Sequence, residues 1–491
     1  MNMILTANQL LALLPLLITS ATAIVVMLAI AIKRNHWWNA TITVVGLNLA
    51  LISLAYVAAE VPTQEVTPLF VVDGYACFYM ALVLGSTLAC ATLSHAYMEG
   101  YPGNREELYL LLTLACCGGL VLCCSRHLAG LFIGLELLSV PVYGMVAYAF
   151  RESRSLESGI KYMVLSAAAS SFLLFGMALL YAQAGTLSFD GLGARLAGEA
   201  LQSPFVLAGS TMILVGLGFK LSLVPFHLWT PDVYEGAPAP VGAFLATASK
   251  VAVFAVLMRL LVVAPAMHHG LLFDVLAAIA FVSILVGNLL ALTQTNLKRL
   301  LGYSSIAHFG YLLVAVVATS PLAVEAVAVY LLTYVVTTLG AFGVVALMSS
   351  PYQGKDADAL FDYRGLFWRR PYLTAVLTVM MLSLAGIPLT AGFIGKFYIV
   401  AAGVGAQLWW LLAAVIVGSA LGLYYYLRVM VTMYMIGAGM RRYDAPLLWG
   451  QRAGGLMVIG LSVLMFLLGV YPQPFLHLIQ AAAIALPTAA Q

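Results

Sequence analysis

The sequence predicts an all-α polytopic membrane protein with about fourteen transmembrane helices. Three observations lead there. Of 491 residues, 63% are hydrophobic and only 8% charged, and a mean hydropathy of +1.02 fits no soluble globular class. The apolar runs are about twenty residues long, the length that carries a helix across about 30 Å of hydrocarbon. They lack the alternation of an outer-membrane barrel, which is thereby excluded. A net charge of +3 is too small to suggest a nucleic-acid partner.

In chain order the windows lie near 9–32, 40–59, 75–97, 107–124, 128–150, 159–182, 205–229, 240–264, 271–293, 300–319, 322–348, 372–398, 408–434 and 454–472. The first reads as an uncleaved span, because no basic residue precedes it and Lys33 and Arg34 follow it, the reverse of a secretory signal. Basic residues gather after the odd-numbered spans: Lys33, Arg34, Arg105, Arg151, Arg154, Lys298, Arg299, Lys355, Arg364, Arg369, Arg370, Arg441, Arg442 and Arg452. The opposite side offers little beyond Arg126 and Arg195 and carries acidic Glu60, Glu65, Asp73, Asp190 and Glu199. This bias makes the odd side cytoplasmic and leaves both termini outside.

Six cysteines invite a metal reading, with Cys116, Cys117, Cys123 and Cys124 on one helical face. They lie in an apolar span without loop geometry or acidic or histidine ligands, so the expectation is small residues packing a helix. The outer connection 186–204 is read as a short interfacial helix or a solvated loop, and the charged connection 350–371 as a solvated loop.

The seventh and twelfth windows are irregular. The seventh contains GFKLSLVPFHLWTPD, which puts Lys220, Pro225 and His227 inside a membrane-length run. The twelfth breaks at Gly386-Ile387-Pro388 and carries Lys396. If spans 4–8 and 9–13 are two units, each has its broken helix and its lysine in fourth place. Five is odd, so the second unit enters from the opposite face, an inverted repeat whose interrupted spans point to a transport site. The expected units are 1–106, 107–266, 267–436 and 437–491, the middle two being the repeats.

Charges at membrane depth locate the chemistry. Glu136, Lys220 and Lys250 would together cost roughly 8–10 kcal/mol if unpaired, comparable with the whole stability of a domain. They must be paired, hydrated or neutral. A Glu136–Lys220 pair can be a static packing device, or a switch. At about 4 Å and an effective dielectric near 20 such a pair interacts by roughly 4 kcal/mol, about three pKa units, so moving the glutamate would release the lysine's proton. Lys250 and His308 would continue the relay and Lys396 would lie near its exit, although a buried histidine can equally bond a carbonyl. His227 can serve backbone groups freed by Pro225, and Pro388 is its counterpart in the second break. Lys161 follows Glu157 by four residues, a spacing that also supports ordinary helix ends. Arg259 is expected to snorkel outward. No nucleotide, haem or cluster motif occurs, so the driving energy comes from an ion gradient or partner subunits.

The segments GFKLSLVPFHLWTPDVYEGAPAPV, NLKRLLGYSSIAHFGYLL and LAGIPLTAGFIGKFY resemble the antiporter-like membrane subunits of respiratory complex I. The shared core runs from about residue 123 to 425, and the resemblance extends over nearly the whole chain. The resemblance implies fourteen helices with two inverted five-helix units. It also implies proton translocation driven by electron transfer from NADH to quinone, through FMN and iron–sulfur clusters held by other subunits. It gives Glu136, Lys220, Lys250 and Lys396 the family's charged positions in spans five, seven, eight and twelve. The implied surroundings are the bacterial inner membrane and flanking subunits, one of them antiporter-like. A cation/proton antiporter subunit and a purely structural subunit are the alternatives. The first would want an oxygen cage, but Glu136 is the one carboxylate well inside a span.

Overall fold

The computed structural model describes residues 6–99, 101, 103–150, 152–196, 198–264, 270–349, 356–435 and 449–484. Among the described residues thirteen helices are long and apolar enough to cross a membrane. They correspond to spans one to eleven, thirteen and fourteen. The twelfth window is a pair of shorter helices, Pro371–Ala385 and Ala391–Gly405, joined by the break at 386–390. Of the basic residues used for orientation, Arg151, Lys355, Arg441 and Arg442 lie outside the described residues.

Burial sorts the helices into a centre and a periphery. The eighth span, Ala239–Val263, is buried from its start to Leu261, and the tenth, Leu297–Ala318, and eleventh, Leu322–Met348, are almost wholly buried. The first, Leu14–Ile32, the second, His36–Glu60, the sixth, Ser153–Ala184, and the fourteenth, Ala453–Val470, each turn most of their surface outward. A helix that is apolar all round has no amphipathic face to orient it, so composition alone could not assign these places.

The eighth span is not a plain α-helix. Pro238 and Pro240 open it, and Leu245–Ser249 form a π-helical turn directly before Lys250. Such a turn widens the helix and re-aims the following side chain. Both breaks begin with a residue in the left-handed region. Ser222 (φ 62°) ends Pro204–Leu221, and Gly386 (φ 83°) ends Pro371–Ala385. At the second break a side chain on Gly392 would strike the Ser383 carbonyl, so glycine is required by close approach as well.

The expectation of an all-helical chain has a small exception. Gln64–Thr67 and Phe70–Val72 form an antiparallel hairpin, with Gln64 opposite Val72. It leads into Asp73, whose carboxylate caps the third span, Gly74–Met98, by accepting from the Ala76 N–H at 2.7 Å.

Three expectations are corrected. Arg259 does not snorkel: it is buried and makes a bidentate pair with Asp73 at 2.7 and 2.8 Å, beneath the Tyr75 ring. An internal carboxylate takes both terminal nitrogens of the guanidinium in place of water. The outer connection is the short helix Phe189–Arg195, but Phe189, Leu192 and Leu196 are fully buried, so it packs into the bundle. The described part of the charged connection is tied down. Asp356 bonds Lys298 at 2.5 Å and Tyr97 at 2.6 Å, and the Leu297 N–H donates to the Asp358 carbonyl at 2.6 Å. All six cysteines are free and buried.

Candidate functional site: a buried polar path

The first cluster surrounds Lys220 in the last turn of the seventh span's first half. Its Nζ donates to Ser139 Oγ at 2.6 Å and to Ser166 Oγ at 2.7 Å, beneath the rings of Tyr143, Tyr162 and Phe219. Glu136, Ser139 and Tyr143 share one face of the fifth span, Leu128–Val146, at helical spacing. Tyr162, Ser166 and Ser170 share the facing stripe of the sixth. Glu136 accepts from Ser170 Oγ at 2.5 Å, and no ion pair closes between it and Lys220. The expected contact pair is therefore corrected: two hydroxyls occupy the ammonium, and a third the carboxylate.

Beyond Lys220 the chain breaks, with a cis bond between Val224 and Pro225. The freed backbone is answered locally. The Val224 N–H donates to Ser283 Oγ at 3.0 Å and Trp229 Nε1 to the Phe219 carbonyl at 2.9 Å, while the Thr230 side chain donates to that of Ser222 at 2.6 Å across the break. His227 is buried, and its Nδ1 has no hydrogen-bond partner among the described residues. Irregular backbone survives at membrane depth only where partners of this kind exist.

The second cluster lies in the buried centre. Lys250 Nζ donates to Ser305 Oγ at 2.7 Å, which also accepts from Tyr334 Oη at 2.8 Å. One turn along the tenth span, His308 holds Tyr330 Oη on Nδ1 at 2.6 Å and Tyr426 Oη on Nε2 at 3.1 Å. The Tyr426 hydroxyl also bonds Ser304. Next to it, Tyr425 Oη donates to Asn288 Oδ1 at 3.0 Å, and Asn288 Nδ2 donates to Tyr311 Oη at 2.9 Å. Over the Tyr311 ring, 5.4 Å from its centre, lies the ammonium of Lys396. Lys396 Nζ donates to the Ala385 carbonyl at 2.9 Å, at the end of the helix before the break. Pro388 stands exposed within that break.

Each expected member thus has polar company, and Lys250, His308 and Lys396 fall along one run of hydroxyls and an amide. Between Lys220 and Lys250 the run is interrupted by aromatic rings. Tyr162 packs on Trp229 (centres 4.8 Å apart), Trp229 on Tyr234 (6.5 Å), and Tyr234 lies 5.7 Å from the Lys250 ammonium.

Lys161 belongs to a larger network at the end of the bundle. It pairs with Glu157 at 2.6 Å and with Asp232 at 2.9 Å. Arg299 reaches the same Asp232 at 2.7 Å and Glu235 at 2.8 Å, and Arg154 joins Glu235 at 3.2 Å. Burial opposes ionisation of Asp232, but hydrogen bonds from Lys161 and Arg299 hold its carboxyl below the usual carboxylate range. Among the described residues no group of three or more metal-ligating side chains gathers where an ion could sit.

Sequence reading missed the hydroxyls, the Asn288 amide and Asp232. One signal was available: Ser304 and Ser305 precede His308 by one helical turn inside an apolar span.

Residues 125–422 match the family model described as NADH:quinone oxidoreductase/Mrp antiporter, TM. The chain belongs to this family. All five charged or titratable members of the path fall inside the family's matched region. Over 485 residues the chain is 67% identical to an NADH-quinone oxidoreductase subunit N from Ectopseudomonas mendocina (strain ymp), covering 98% of this chain and 97% of the relative. It is 65% identical over 469 residues to another from Chromohalobacter salexigens, covering 96% and 98%. A chain of respiratory complex I from Thermus thermophilus with bound aureothin superposes with a TM-score of 0.82 at 34% identity, covering 95% and 99%. A chain of the Mrp complex from Dietzia sp. DQ12-45-1b gives 0.84 at 21% identity, covering 97% of each, a likeness of fold.

Proposed function

We propose that this chain is the N-type membrane subunit of a bacterial proton-translocating NADH-quinone oxidoreductase. The observation that carries this is the near-full-length likeness to subunit N proteins from two bacteria. In this reading FMN, iron–sulfur clusters and quinone belong to partner subunits, one neighbour is antiporter-like, and both termini face the periplasm. Spans 4–8 and 9–13 act as two inverted units, each with one broken helix.

The side chains supply a mechanism. A proton arriving from the cytoplasm is held on Lys220, with Glu136 favouring the charged form from a distance. Coulomb attraction falls as the inverse of separation, from about 4 kcal/mol at 4 Å to about 2 at 8 Å for an effective dielectric near 20. Glu136 can therefore tune the lysine continuously. Transfer to Lys250 needs water to enter past Trp229 and Tyr234, and this ring wall keeps the two halves apart at rest. From Lys250 the proton has hydroxyls to follow past His308 toward Lys396 and the outer face.

The test is Lys220→Ala in the assembled complex, with proton pumping and quinone reduction measured together. Pumping should be lost while assembly persists. An assembled variant that pumps at the wild-type rate overturns the relay. The cation/proton antiporter reading shares the family model but predicts sodium transport by the purified chain in vesicles, and the lysine-dominated path opposes it.

A further inference from the structure

A cleft of about 460 Å³ opens where the first span ends, the second and fourth begin and the third ends. None of the path's lysines lines it, and its lining residues lie outside the family's matched region. Its charged lining is mixed: Arg34 and Arg105 on one hand, Glu99 and Glu106 on the other, with His36 and Trp37. Four helix ends meeting there place it at the boundary between hydrocarbon and water.

The surface beside it is built for lipid. Ile32 is 86% exposed, and Trp37 and Trp38 are both more than half exposed at the start of the second span. Paired tryptophans at a helix end mark the headgroup level of a bilayer.

The polar groups are incompletely used by the protein. Arg34 pairs with Glu107 at 2.6 Å with its side chain half exposed. Among the described residues the Arg105 side chain bonds the protein through Nε alone, to the Tyr101 carbonyl at 3.0 Å. Glu106 is buried and, among the described residues, accepts only the Arg105 backbone N–H at 3.0 Å. His36 Nε2 lies 3.0 Å from the His95 carbonyl, which can only accept, so Nε2 carries the hydrogen. In the neutral ring Nδ1 then presents a lone pair, and that nitrogen is buried without a partner among the described residues. Two cationic side chains, two carboxylates and a lone pair within one interfacial cleft match an ion that is itself both negative and positive.

We infer that this cleft binds the headgroup of an aminophospholipid of the phosphatidylethanolamine type. The phosphate lies on Arg34 and Arg105, and the ammonium on Glu99, Glu106 and His36 Nδ1. The acyl chains run down the surface at Ile32 and Trp37. A purely anionic headgroup would meet Glu99 and Glu106 unpaired.

The experiment uses the assembled complex in nanodiscs containing a photoactivatable phosphatidylethanolamine, with labelling of the peptide around Trp37 read by mass spectrometry. Labelling should exceed that by the matching phosphatidylglycerol probe and fall about tenfold in Arg105→Ala, the loss expected for a charge-assisted bond. Glu99→Gln should lower labelling by the ethanolamine lipid and spare the glycerol lipid. Equal labelling by the two lipids in the wild type, or unchanged labelling in Arg105→Ala, overturns the inference. Should Arg105→Ala fail to assemble, competition on the wild type decides. Unlabelled phosphatidylethanolamine should displace the probe, and displacement by inorganic phosphate would show an anion site and not a lipid site. None of these readouts needs electron transfer or pumping, so they stand apart from the functional reading.

Discussion

The two broken helices present their lysines differently. Lys220 precedes its break, in the last turn of the first half-helix, and gives its hydrogens to Ser139 and Ser166 on neighbouring spans. Lys396 follows its break and reaches back to the Ala385 carbonyl, at the C-terminal end of the half-helix before it. The negative end of a helix dipole favours a cation there. The first lysine is thus held by hydroxyls of two neighbouring spans, the second by the backbone of a helix end. A site held by hydroxyls and a tunable carboxylate can be switched by a neighbour's motion. One held by a helix end changes only if the break itself moves.

The sharpest way to break this comparison is to remove the first lysine. Lys220→Ala should reduce pumping by about 100-fold, in the range general acid–base groups supply. Lys220→Arg should not restore it, because guanidinium stays charged. Next, Glu136→Gln should slow pumping by about tenfold, less than loss of the lysine, since the carboxylate acts at a distance. Equal losses in the two variants would mean that they meet during turnover. The double change Ser139→Ala with Ser166→Ala should slow pumping several-fold by exposing the ammonium to an apolar wall, whereas no single hydroxyl deletion should do the same at Lys396. Proton uptake per turnover in assembled complexes measures all three.

The smallest effect belongs to Asp232, which joins Lys161 on the sixth span to Arg299 on the tenth. Its carboxyl lies below the ordinary range, so its contribution is present above the unfolded value near pH 4 and is lost as pH falls through the lower folded value. Asp232→Asn should lower thermal stability at pH 7 by no more than about 1 kcal/mol, as half-exposed pairs do. It should also remove that residue's part of the acid sensitivity. Thermal unfolding at pH 7 and below pH 4 checks it.

How much could be read in advance follows from the range of each interaction. The breaks were legible because Pro225, Gly386 and Pro388 act on their own backbone, and the lysines because charge in an apolar run stands out. Lys161 was half legible: Glu157 is four residues away, but Asp232 is 71. Arg259 was misjudged because its carboxylate, Asp73, is 186 residues distant and looked like a loop acid. The hydroxyls were invisible because serine and tyrosine also occur in ordinary spans, satisfied by their own helix.

By itself the sequence determined a multi-span helical membrane protein, the places where two of its helices break, and which charges sit at membrane depth. These follow from the cost of polar groups in hydrocarbon, which each residue meets alone. Tertiary structure decided that the eighth, tenth and eleventh spans form the centre. It also decided that Ser139 and Ser166, not Glu136, take the Lys220 ammonium, and that hydroxyls and an amide lie between Lys250 and Lys396. Those outcomes depend on which helix faces meet, and helices that are apolar on every side carry no local mark of their neighbours.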